Sequence, residues 1–218
     1  MSSSNPVAKA PCSKELERDW WPLESSPDVL TKFARHWDLP NEYEFVDVLG
    51  LDPELLSLVS RPVHAVVFLF PDTPTIVDHR TKEGPGTPAA RGQEPLWIPQ
   101  VGVALDPDRR TALLAASPLI KPAHMAVVAA GDSQVRESDW EDADHFLAFV
   151  RHNGRVWEMD GNTPRTGPLD RGPASNDLLE DAARIIRDVY IPRAEGSVHF
   201  STIALVGPES GAGASGDV

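Results

Sequence analysis

A single cysteine, Cys12, is all the thiol that the 218 residues contain. One thiol cannot close an intrachain disulfide or build a Cys/His zinc set, so the composition suits a reducing compartment. Long apolar runs are missing too. None exceeds six residues, as in Ala65 to Phe70, which is of strand length and far short of the ~20 residues of a membrane span. Basic charge is scarce: 20 Lys and Arg against 33 Asp and Glu leave a net −13, which disfavours a nucleic-acid partner and suits a basic protein one. There is no Walker loop, no dinucleotide fingerprint and no histidine spacing of a metal site, so no cofactor and no metal are expected. The opening Met-Ser-Ser-Ser-Asn-Pro lacks the basic start and apolar stretch of a signal peptide. The expectation is a soluble cytoplasmic or nuclear protein, assigned here to the cytoplasm, with no membrane contact.

Against that background one hairpin stands out. His145-Phe-Leu-Ala-Phe-Val-Arg runs into His-Asn-Gly and returns as Arg155-Val-Trp-Glu-Met-Asp160-Gly161. An Asn-Gly pair favours a two-residue turn, which makes residue 152 face 155. His145 then lies opposite Asn162, with Asp160 its diagonal neighbour on the same face, at a separation of roughly 7 Å between Cβ atoms. An imidazole and a carboxylate so placed form the orienting half of a nucleophile–base–acid triad. The same spacing also suits a strand-opening histidine bonded to a backbone carbonyl and an ordinary Asp-Gly turn. His36, His64, His79, His124, His152 and His199 read as surface or packed histidines.

Elsewhere the pattern predicts a tail over residues 1–17, one domain over 18–206 and a second tail over 207–218. Ser26-Pro27-Asp28 starts a helix carrying Val29, Leu30, Phe33 and Trp37. Tyr43 to Val48 alternates like a strand, and Asp52-Pro53-Glu54 opens a short helix. Val63 to Phe70 reads as a central strand covered on both faces. Residues 71–95, rich in Pro, Gly, Thr and charge, read as a flexible loop. Helices are expected from Asp106, from Ser117 to Ala130 and from Asp177 to Val189, with a last strand over Val198 to Val206. Helices on a mostly antiparallel sheet make an α+β fold.

Read together, several stretches resemble the ubiquitin carboxyl-terminal hydrolase family, the papain-like thiol deubiquitinases, and in particular its fungal members. They are Trp21-Pro-Leu-Glu-Ser-Ser-Pro-Asp, Phe45-Val-Asp-Val-Leu-Gly-Leu-Asp-Pro-Glu, Arg61-Pro-Val-His-Ala-Val-Val-Phe-Leu-Phe-Pro, both hairpin strands, and Phe200-Ser-Thr-Ile-Ala-Leu. The resemblance implies a papain-like central sheet flanked by helices, ubiquitin as partner, and thiol-dependent cleavage after the C-terminal glycine of ubiquitin. It makes His145 the general base and later acid, and Asp160 the residue that orients it. Gln100, closing Trp97-Ile-Pro-Gln100, becomes the donor to the tetrahedral oxyanion, a role worth roughly 3 kcal/mol of barrier.

At Gln100 the chain departs from the family pattern. There the glutamine is followed by Thr-(Ile/Val)-(Gly/Ser)-Asn-Ala-Cys-Gly, whose cysteine, six residues after the glutamine, sits at a helix N-terminus that lowers the thiol pKa. Here Gln100 is followed by Val-Gly-Val-Ala-Leu-Asp106, and no Asn-Ala-Cys-Gly occurs. The nucleophile helix is read as deleted. Cys12, in a polar stretch ahead of the first family-like motif, lacks the positioning that supplies much of the rate. An inert chain is expected, with a dropped coding block, a ubiquitin-binding pseudoenzyme or a partner covering the gap as the competing explanations.

Overall fold

The computed structural model describes residues 21–83, 117–129, 131, 144–161 and 168–209. The first helix, α1 (Pro27–Arg35), begins with Ser26 in the cap position and proline in its first turn. Then come β1 (Glu44–Asp47), the one-turn α2 (Pro53–Leu56), β2 (Val63–Phe70), α3 (Pro74–Lys82) and α4 (Ile120–Val128). The hairpin strands are β3 (His145–His152) and β4 (Arg155–Met159), followed by β5 (Leu169–Pro173). Asp177 caps α5 (Leu178–Ile185) by accepting from the amides of Leu179 and Glu180. A π-helical turn over Ile186–Tyr190 prolongs α5, and β6 (Ser201–Val206) is the last strand.

The six strands form one antiparallel sheet in the order β1-β6-β2-β3-β4-β5. Its two middle strands, β2 and β3, carry the aromatic core. Val66, Phe68, Phe70, Leu147 and Phe149 are buried on one face against Leu178, Leu179, Ala182, Ile186 and Tyr190. Burying each such aromatic or branched side chain contributes about 1.5–3 kcal/mol. α1 lies against β1 and α4.

The structure corrects four of the expectations. Residues 71–95 are not all loop, because Pro74–Lys82 is helical. The Thr73 hydroxyl accepts the Ile76 amide, and Pro74 is pre-set for a first helical position. Val63 to Phe70 is central but not covered equally: Val63, Val66, Phe68 and Phe70 are buried, while Ala65, Val67 and Leu69 are only half-buried. The edge strand β5 was not anticipated, since Leu-Asp-Arg-Gly-Pro has neither alternation nor β-formers. The last strand begins at Ser201, and Val198 stands 82% exposed ahead of it. The helix expected from Asp106 lies outside the described residues.

Candidate active site

The hairpin follows the register that its turn chemistry dictates. Asn153 and Gly154 take φ of 48° and 71°, the left-handed pair that a tight hairpin turn needs. His152 faces Arg155 and Ala148 faces Met159. Continued to its open end, that register sets His145 and Asp160 diagonally on the face that also carries Leu147 and Glu158. His145 is the first residue of β3, paired with Phe70 at the end of β2.

The two expected site residues meet directly. Asp160 Oδ1 lies 2.7 Å from His145 Nε2. The carboxylate side chain is 2% exposed and the imidazole 16%. With Nε2 engaged by Asp160, Nδ1 is the ring nitrogen left to exchange a proton with a reacting group. The Phe70 ring stands edge-on to the imidazole, with centroids 5.4 Å apart, and Tyr190 packs behind Phe70 at 4.9 Å. Gln100 and Cys12 lie outside the described residues.

One buried residue at the site escaped the sequence reading. Arg80, 3% exposed, comes from α3 one turn beyond buried Ile76. Its Nε and Nη2 donate to Asp160 Oδ2 at 3.0 and 2.7 Å, and its Nη1 donates to Asp72 Oδ1 at 2.9 Å. The guanidinium also stands over the Phe70 ring, 5.5 Å from its centroid. Thr73-Pro74, a capping hydroxyl followed by proline, was the signal that could have revealed α3 and hence the inward position of Arg80.

A second ionic cluster lies two residues back along β4. Glu158 is fully buried and accepts from Arg171 Nε at 2.7 Å. Arg171 reaches Glu83 beyond the end of α3 and the Tyr190 hydroxyl at 3.4 Å. Burial works against the Arg171 charge, but Glu158, with Tyr190 and Glu83 assisting, outweighs it and pushes the pKa up. Burial, then Glu158, pushes the Tyr190 hydroxyl up. Both clusters therefore tie the α3 region to the hairpin. Among the described residues no group of three His, Cys, Asp or Glu side chains could hold a metal ion.

An aromatic row leads away from His145. Phe68 stacks on Phe70 at 5.4 Å and Phe200 on Phe68 at 5.8 Å. Phe68 and Phe200 also line a shallow cavity of about 310 Å³ with Val48, Leu49 and Leu51. No helix among the described residues is long and apolar enough to cross a membrane.

Comparison with known proteins agrees with this architecture. The family model of ubiquitin carboxyl-terminal hydrolase, family 1, matches residues 20–104 and 102–190. A ubiquitin carboxyl-terminal hydrolase of Aplysia californica is 32% identical over 78% of this chain and 94% of its own. Ubiquitin carboxyl-terminal hydrolase 3 of Arabidopsis thaliana is 30% identical over 85% of this chain and 93% of its own. The fold is similar to the Trichinella spiralis UCH37 catalytic domain bound to ubiquitin vinyl methyl ester. That match has a TM-score of 0.60 and 22% identity over 87% of this chain and 96% of the other. The chain belongs to the ubiquitin carboxyl-terminal hydrolase family 1.

The alignments also carry a length difference. The Aplysia match spans 204 positions but uses 78% of the 218 residues, about 170, so some 34 positions of the relative have no counterpart here. The two family-matched segments overlap at 102–104, just after Gln100.

Proposed function

We propose that this chain is a ubiquitin-directed thiol hydrolase by descent that keeps the base half of its catalytic apparatus and lacks the attacking sulfur. The observation that carries this reading is the 2.7 Å contact between His145 and Asp160, in a chain whose only cysteine is Cys12. Residues 18–206 make up one domain. In the complete reaction, a thiolate attacks the carbonyl of the C-terminal glycine of ubiquitin. His145 takes the thiol proton and returns it to the leaving amine, Asp160 holds the imidazole, and the Gln100 amide donates to the oxyanion. Without the thiolate the chain binds ubiquitin and does not cleave it. The net charge of −13 favours a basic protein face as partner. A cytoplasmic setting accords with the near-absence of cysteine.

The internal shortfall of some 34 positions against the Aplysia relative supports a dropped coding block. Sequencing the messenger RNA across Gln100-Val101 tests that point, and an in-frame segment encoding Asn-Ala-Cys-Gly is the expected recovery. The functional test is incubation with ubiquitin vinyl methyl ester beside unmodified ubiquitin. Micromolar binding of ubiquitin without a covalent adduct is expected. An adduct abolished by Cys12→Ala, or no binding at all, contradicts the proposal.

A further inference from the structure

We propose that Arg80 is a positioning residue for the catalytic pair, acting on His145 through Asp160. Holding the Asp160 carboxylate at 2% exposure carries a desolvation cost. Such a group either protonates or finds an opposite charge. Protonated, it would lose the charge that holds His145 in one orientation and stabilises the imidazolium. Arg80 supplies the opposite charge, in a planar fork that fixes direction as well as sign.

The geometry divides the labour between the two carboxylate oxygens. Oδ2 takes both Nε and Nη2 of Arg80, and Oδ1 faces His145 Nε2. Two donors of one rigid guanidinium anchor that oxygen, which limits rotation of the carboxyl group, otherwise soft about its terminal torsion, and so aims the other oxygen. Arg80 is itself held, by Asp72 on Nη1 and by the Phe70 ring beside the guanidinium. Phe70 is also the ring that stands edge-on to His145. The same two aromatic and carboxylate groups therefore touch both the imidazole and the guanidinium. Arg80 acquires its inward position from α3, where it follows buried Ile76 at i+4. A purely structural tie between α3 and the sheet would need none of this aim. Lysine, a point charge without the fork, does not replace it.

This inference rests on the reading of His145 and Asp160 as the base pair, and its test needs neither a thiol nor ubiquitin. The chain is labelled with ¹⁵N-histidine, and the His145 ring signals are assigned by their disappearance in His145→Gln. The unmodified chain is expected to show one tautomer, with the proton on Nε2 and protected from exchange. Arg80→Lys and Arg80→Met are expected to melt cooperatively while that Nε2 proton signal is lost and the ring nitrogens move toward a mixture of tautomers. Either variant, folded and with the Nε2 signal unchanged, overturns the proposal. If only Arg80→Met unfolds, Arg80→Lys decides. Unfolding of both also overturns it, since Arg80 would then support the fold rather than one carboxylate. Failure here leaves ubiquitin binding untouched, and failure of ubiquitin binding leaves this result standing.

Discussion

Asp160 bridges His145 and Arg80, with Oδ1 2.7 Å from the imidazole Nε2 and Oδ2 2.7 Å from the guanidinium Nη2. One buried carboxylate thus joins the open end of the hairpin to α3. Its removal should be costly, because Arg80 would lose the partner that offsets its desolvation.

Asp160→Ala is therefore expected to destabilise the chain by about 3–5 kcal/mol, the usual penalty for breaking a buried ion pair from one side. Urea unfolding of the two proteins measures it. A loss below about 1 kcal/mol, the range of exposed pairs, would contradict the buried bridge.

The turn that sets the register can be probed separately. Gly154 has φ of +71°, and a Cβ added there meets nothing within 4 Å. Gly154→Ala is thus penalised by backbone conformation alone. The expected loss is roughly 1 kcal/mol, read from the urea midpoint with an unchanged m-value. A gain in stability would mean that the turn is not left-handed at this position.

How much of this could be read from the chain depends on which patterns the residues express. The β3–β4 pairing was legible because Asn153-Gly154 fixes the turn and side chains then alternate, so His145 and Asp160 fall on one face. β2 was legible through Val63 to Phe70, although its apolar run overstated the burial of Ala65, Val67 and Leu69. α3 was not, because its inward face pairs Ile76 with a charged Arg80 rather than with a second apolar residue. Its proline and threonines mimic a loop until Thr73 is recognised as a cap. β5 was hidden by Gly172, at φ +105°, and by Pro173, both poor strand formers that an edge tolerates. Gln100 was assigned a role only through resemblance, which no local pattern could supply.

Acid should weaken the fold through two histidines. Burial, only partly offset by Glu83, lowers the His79 pKa from its ordinary 6.5, and burial lowers that of His124 as well. The unfolded chain therefore binds protons before the folded one does. This contribution is fully present above about pH 6.5 and is lost as the pH falls below it. The urea midpoint is expected to drop between about pH 7.5 and about pH 5.5, with a shallower fall in His79→Gln. A midpoint that rises on acidification would reverse the sign of the argument.

The central claim is that His145 and Asp160 form a working base lacking only its thiol. It is tested most directly by inserting, between Gln100 and Val101, a family segment that carries Asn-Ala-Cys-Gly. Labelling by ubiquitin vinyl methyl ester is then measured by mass spectrometry. The restored chain is predicted to form a one-to-one adduct at the new cysteine, which His145→Ala abolishes. A folded, ubiquitin-binding restored chain that stays unlabelled, or one that labels equally without His145, would contradict the account.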